Sequence, residues 1–183
     1  MKRMLEDYLR YEAYDIRVRQ RDEHRPPFRP LVHTREVTRP GLVMDDGQLR
    51  GTAAKVVHPP IDLALPYAPD RSIVVSGDTR PIDALIRLAK GADVLVHEAM
   101  MPDRVFELVR SLPNAQELTR SVLSHHTSAE QAGQVAAAAG VRMLVLSPLV
   151  PAEDPNVPDA EWLAAARRHY RGPIVVGRDL MEI

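Results

Sequence analysis

The chain has 183 residues and no cysteine, which excludes disulfides, cysteine-bound zinc and thiol nucleophiles. With a formal net charge of −1 and a sequence pI of about 6.7, the chain has no strong electrostatic attraction for nucleic acid or an anionic membrane. No apolar run reaches the ~20 residues of a membrane helix, and the first residues turn acidic without the apolar core of a secretory signal. We therefore expect a cytoplasmic protein with no membrane partner, and the length suggests one domain, or one domain with an appendage.

The first 34 residues are predicted to form a helix and a proline-rich connector. Apolar residues between positions 4 and 21 have helical spacing at first and strand-like alternation later, so a helix and then a strand are expected. Prolines exclude a helix over residues 24–30. Ten Lys and Arg against seven Asp and Glu in residues 1–40 favour a solvated face over a binding arm.

Residues 42–49 read as a β-hairpin that turns at Asp46-Gly47, and the returning strand runs to residue 57 before His58. From residue 72 the pattern alternates between short apolar strands and helical segments. Strands are predicted over 72–76, 93–97, 142–146 and 173–177, and helices over 81–90, 103–111, 115–123 and 159–170. A further helix begins at a capping box with Thr127 as N-cap and Glu130 three residues on, and ends at Gly140. This alternation predicts an α/β sheet covered by helices.

Ionisable residues follow several of these strands, where open α/β sheets bind their ligands. His58 and Asp78 each follow a strand, a third strand ends at His97-Glu98, and His125-His126 precedes a helix. Each residue alone also suits a turn, a helix cap or a solvated surface. The pattern therefore leaves a metal or acid–base site and a purely structural interpretation both open.

Four motifs occur in the order found in one family, together with Val57-His58-Pro59 and the closing segment 175–182. They are V-V-S-G-D-T-R at 74–80, D-V-L-V-H-E-A at 93–99, H-T-S-A-E-Q-A at 126–132 and L-V-L-S-P-L-V-P at 144–151. From about residue 35 to the end, the chain resembles the second half of a metallo-β-lactamase-fold hydrolase of the ribonuclease Z type, whose relatives include arylsulfatase-like enzymes. The resemblance implies an α/β fold, an αββα sandwich with its N-terminal half largely missing, in residues 35–183.

The resemblance also implies roles for individual residues. Asp78 matches a carboxylate that bridges two zinc ions, and His58 matches a ligand of one of them. Glu98 and His126 match a pair that hands a proton to the leaving group, whereas His97 packs or forms hydrogen bonds. The implied substrate is RNA or a small ester. We expect these four side chains at one rim of the sheet, with Pro148 at the edge of the same cluster. A His58 nitrogen should lie within about 6 Å of an Asp78 oxygen, and Glu98 at about 2.6–3.2 Å from His126 or one water further.

Two departures from the family pattern bear on activity. The first metal motif, His-x-His-x-Asp-His, is absent, and Pro148 stands where the last histidine ligand is expected. Met100 also replaces a usual threonine. Since catalytic zinc normally keeps three protein ligands, we expect weak zinc binding and weak or absent catalysis by this chain alone.

Three interpretations follow from these departures: a truncated metal-dependent hydrolase, a non-catalytic remnant, or a gene fragment. Loss of the first half also predicts an exposed apolar sheet surface, and hence a homo-oligomer or a partner that supplies the missing half.

Overall fold

The structure is a computed structural model that describes residues 2–58, 63–64, 66–68, 72–152, 154 and 156–183. The chain divides into two compact units, Met1–Thr38 and Arg39–Ile183. Within the described residues, no helix is long and apolar enough to cross a membrane.

The first unit consists of helices α1 (Lys2–Tyr11) and α2 (Ala13–Asp22) and a 3₁₀ turn at Arg29–Leu31. The predicted strand in the second half of residues 4–21 is therefore wrong. No residue of α2 is buried, so the alternating apolar residues there have no sheet to join. The helix is supported instead by Arg19, which pairs with Asp15 at 2.7 Å and Glu23 at 3.4 Å, each four residues away along the chain.

The second unit is built on one mixed sheet. Among the described residues its strands are β1 (Gly41–Asp45), β2 (Arg50–Lys55), β3 (Leu63–Ala64), β4 (Pro66–Ala68), β5 (Ile73–Val75), β6 (Val94–Met100), β7 (Met143–Val150) and β8 (Ile174–Val176). The order is β1-β2-β4-β5-β6-β7-β8, with β3 paired to β2. Strands β1 to β4 pair antiparallel, whereas β5 to β8 are parallel. The hairpin prediction is confirmed: the Asp46 carboxylate accepts hydrogen bonds from the backbone N–H groups of Gln48 and Leu49 at 2.9 and 2.7 Å.

Five helices complete the described part of this unit: α3 (Asp83–Leu88), α4 (Pro102–Val109), α5 (Ala115–His125), α6 (Ala129–Ala139) and α7 (Asp159–Arg167). Alternate strand residues such as Leu95 and Leu144 are buried in one core with Leu85 of α3 and Trp162 of α7. On the other face of the sheet, Ile73 and Val75 of β5 remain 39% and 38% exposed. Helices against one sheet face are the α/β arrangement that the sequence predicts.

Two strands continue beyond their predicted ends. Strand β6 runs through Glu98 to Met100, and β7 runs through Pro148 to Val150. The pairing register shifts between His97 and Ala99, so that Ser147 and Pro148 together lie opposite Glu98. A bulge tolerates a proline because the ladder is interrupted there.

The predicted N-cap of α6 is wrong by one residue. Ser128, not Thr127, caps the helix, and its side chain accepts the backbone N–H of Gln131 while the Gln131 side chain accepts the N–H of Ser128. Thr127 is fully buried and makes a tertiary hydrogen bond instead. The helix ends at Gly140 in the left-handed conformation, as predicted.

The contact between α6 and α7 can be tested by substitution of Gly133. A Cβ at this position would collide with the backbone carbonyl of Ala166. We expect Gly133→Ala to destabilise the unit by about 1–3 kcal/mol, because overpacking outweighs the better helix propensity of alanine. Chemical denaturation measures the change. Ala137→Ser, on the exposed side of α6, should stay within about 0.5 kcal/mol; an equally stable Gly133→Ala variant would contradict the close approach.

Candidate metal centre

Three potential ligands meet at one edge of the sheet. His58 follows β2, Asp78 follows β5, and His126 caps the C-terminal end of α5. One ligand atom from each residue lies within 4.8 Å of the others. The proximity of His58 and Asp78 was expected, and so was the position of His126 at the same edge, although as a proton donor and not as a third ligand. The structure therefore brings three of the four selected side chains around one point.

The fourth side chain, Glu98, lies directly behind His126. One carboxylate oxygen, Oε2, is 2.6 Å from His126 Nδ1, at the expected hydrogen-bond distance. Its other oxygen accepts the backbone N–H of Thr79. Glu98 is only 1% exposed, and this burial raises its pKa to about 7, although the hydrogen bonds from Thr79 and His126 act in the opposite direction. Burial thus makes this carboxyl group a weaker acid than an exposed glutamate.

Hydrogen bonds to Thr79 fix the segments that carry the three ligands. The Thr79 hydroxyl accepts the backbone N–H of Val57 at 3.1 Å, next to His58, and Thr79 itself follows Asp78. The Thr127 hydroxyl donates to the Thr79 carbonyl and so holds the segment that contains His126. Sequence reasoning missed this positioning role of Thr79 and Thr127. The signal available was that each threonine directly follows a selected site residue.

His97 lies in the core and not among the ligands, in agreement with its expected packing role. It is fully buried, and its Nδ1 is 2.9 Å from the Glu98 carbonyl oxygen. Since that oxygen can only accept, Nδ1 carries the proton. Its Nε2 has no hydrogen-bond partner among the described residues. Burial lowers the pKa of His97 to about 4, so the ring is neutral at physiological pH.

The remaining candidates are outside the three-ligand group. The His125 ring centroid is 5.9 Å from that of His58, but His125 is outside the three-ligand cluster. Ser147 and Pro148 line a separate hollow of about 1040 Å³ together with Trp162 and Arg178. Because the proline ring has no donor atom, Pro148 contributes nothing to metal binding.

The donor set fits one metal ion better than two. Ligand bonds of about 2.0–2.2 Å place donor atoms on a shared zinc roughly 3–4 Å apart, and separations within 4.8 Å need only small side-chain rotations to close. Two imidazoles and a carboxylate are ligands that zinc accepts. No other group of three His, Asp or Glu side chains that could bind a metal occurs in the described part of the chain.

Burial of His97 as a neutral imidazole predicts that the folded protein loses stability in acid. The reference pKa of histidine is 6.5, whereas the pKa of His97 in the folded protein is about 4. Between these pH values the imidazole is protonated in the unfolded chain but neutral in the folded chain. Stability is therefore complete above pH 6.5 and falls by about 3 kcal/mol as the pH drops to 4. Urea unfolding across this range should show a smaller slope with pH for His97→Gln. His125→Gln should keep the original slope, and identical slopes for all three proteins would contradict burial of a neutral His97.

Sequence comparisons place these residues in a known context. No family model matches the chain. It is 31% identical over 185 residues to ribonuclease Z of Mycolicibacterium gilvum, an alignment that covers 98% of this chain and 61% of that protein. It is 40% identical over 111 residues to ribonuclease Z of Myxococcus xanthus, covering 61% of this chain and 32% of the relative. The chain thus spans less than two thirds of the length of these curated relatives.

Solved structures give the same fold. The metallo-β-lactamase-fold protein YhfI from Bacillus subtilis superposes with a TM-score of 0.59 at 18% identity, over 82% of this chain and 57% of that one. The short form of human tRNase Z superposes with a TM-score of 0.50 at 20% identity, over 76% of this chain and 43% of the human protein. The chain is therefore similar in sequence to part of ribonuclease Z and has part of the metallo-β-lactamase fold.

Proposed function

We propose that this chain forms part of a metal-dependent phosphodiesterase of the ribonuclease Z kind, with RNA as substrate and zinc as the ion. The observation that carries the proposal is the buried Glu98 bonded to His126 beside the His58–Asp78 pair. Glu98 is 1% exposed, and its carboxylate lies 2.6 Å from the ring of His126, whose side chain is 18% exposed. Together they form an acid–base pair next to a cation site.

The site residues have different roles in the proposed phosphodiester hydrolysis. His58 and Asp78 would hold the metal, which when bound supplies Lewis-acid chemistry and lowers the pKa of a water molecule. His126 gives a proton to the leaving oxygen, and Glu98 orients the imidazole through Nδ1 and stabilises its protonated form.

A second candidate function is non-catalytic. The first metal motif is absent from the sequence, and Pro148 replaces a ligand, so His58 and Asp78 are the ligands left from the set that the family resemblance implies. A chain of this kind would act through association.

A partner that supplies the missing half reconciles the two functions. The half-exposed apolar residues Ile73 and Val75 lie on the sheet face away from the core, where such a segment, or a second copy of the chain, would gain apolar burial.

The hydrolase proposal predicts what restores activity. We expect the chain alone to hydrolyse a chromogenic phosphodiester at background, and Pro148→His alone not to change this. Pro148→His combined with the N-terminal half of a ribonuclease Z relative, which brings the His-x-His-x-Asp-His motif, should restore zinc-dependent turnover. His126→Ala should then reduce this turnover by about 10²–10⁴-fold, the usual contribution of a general acid.

His125→Ala is the matched control, because His125 is adjacent in sequence but outside the ligand group; it should keep full restored turnover. A folded, zinc-loaded combined protein without turnover would favour the non-catalytic function. Turnover by the unaltered chain that is lost in Asp78→Ala would show that the missing ligands are not required.

A further inference from the structure

We propose that, in this chain as it stands, His126 is the third ligand of a single divalent-cation site that also contains His58 and Asp78. The inference builds on the proposed function, because it assigns the imidazole that serves as proton donor in the assembled hydrolase to the metal when the other ligands are absent. It concerns the resting chain and not the reaction.

Distance is the first support. The ligand atoms of all three residues lie within 4.8 Å of one another, so His126 is as well placed toward a shared ion as the two expected ligands. The rings of His58 and His126 are 5.0 Å apart between centroids and nearly perpendicular, at 68°. Two imidazoles in this arrangement can direct nitrogen atoms toward a common point without stacking.

The orientation of His126 is the second support. Its Nδ1 is hydrogen-bonded to Glu98, so Nε2 is the ring nitrogen that can bind a cation. Histidine ligands of metals almost always donate their other ring N–H to a carboxylate or carbonyl, which fixes the tautomer and raises the basicity of the ligand. Glu98 provides this contact from a position that is 1% exposed. The geometry behind His126 therefore suits a metal ligand as well as a proton donor.

Preorganisation is the third support. Val57, Asp78 and Thr127 are all connected through Thr79 by the hydrogen bonds described above or by the peptide bond itself. Backbone contacts of this kind hold the ligand-bearing segments together before any ion arrives, which lowers the entropic cost of binding. Three protein ligands with an open fourth position also match the usual composition of catalytic zinc sites.

The consequence is a reversible block on proton transfer. While Nε2 of His126 binds the ion, the same nitrogen cannot carry a proton to a leaving group. On this proposal the chain binds one ion, and His126 cannot act as an acid while that ion is bound.

Zinc titration of the purified chain tests this inference. We expect one Zn²⁺ per chain by competition with a chromophoric chelator, and a visible Co²⁺ spectrum typical of low coordination number. His126→Ala should weaken Zn²⁺ binding by about 100-fold or more, as should His58→Ala, and Glu98→Gln by about 10–100-fold through loss of ligand orientation. His125→Ala, the neighbouring histidine outside the group, should leave both affinity and spectrum unchanged.

Circular dichroism and melting temperature establish that each variant is folded, and His126→Gln provides a second variant of similar size if the alanine variant does not fold. Binding that depends on His58 and Asp78 but not on His126, or no binding at all, would overturn the inference. Because the readout is metal affinity, its failure leaves the hydrolase proposal to be judged by restored turnover. Conversely, His126-dependent zinc binding without restored turnover would support this inference and count against the hydrolase.

Discussion

The site depends on how the fold accommodates one buried carboxyl group. A carboxylate removed from water is costly unless it is hydrogen-bonded and paired. Glu98 meets both conditions through the Thr79 N–H and the His126 ring. Satisfying Glu98 therefore requires the loop after β5 and the segment before α6 to approach the end of β6. The Thr127 hydroxyl on the Thr79 carbonyl strengthens the same approach. Asp78 and His126 come together because hydrogen bonds to the buried Glu98 carboxylate and to Thr79 hold the segments that carry them.

The two faces of the sheet differ in a way that separates stability from function. On the helix-covered face, Leu95, Leu144 and Trp162 belong to one continuous core, which supports the parallel strands and their shared carboxyl edge. On the other face, Ile73 and Val75 are more than a third exposed. The second unit alone positions His58, Asp78 and His126, since every hydrogen bond described for Glu98 and Thr79 lies within it.

Local features of the sequence predicted most of this fold, and long-range contacts account for what it missed. The Asp46-Gly47 turn and the Gly140 helix end follow from backbone chemistry that a few residues determine. The end of β6 and the cap of α6 were wrong because both depend on distant partners. Thr127 resembles an N-cap in isolation, but it is drawn into the core by Thr79, 48 residues away. Long-range contacts also explain the part of the site that was missed. Family motifs identified His58, Asp78, Glu98 and His126, whereas Thr79 and Thr127, which hold their segments in place, have no local pattern that reveals this role. The helix α2 was missed because alternating apolar residues resemble a strand even where nothing buries them.

An imidazole can serve as a metal ligand or as a general acid, depending on whether its second nitrogen binds a metal ion or carries a proton. In both roles Nδ1 faces a carboxylate, as His126 faces Glu98 at 2.6 Å, so this hydrogen bond does not distinguish them. What distinguishes the two roles is the number of other donor atoms that compete for the ion. A site with a full set of ligands satisfies its ions without His126 and leaves Nε2 for a proton. This sequence has Pro148 where the family resemblance implies a ligand, and it lacks the first motif, so in the proposed three-ligand site fewer donors compete with Nε2 for the ion. The proposed change of role therefore arises from the other ligands and not from the surroundings of His126 itself.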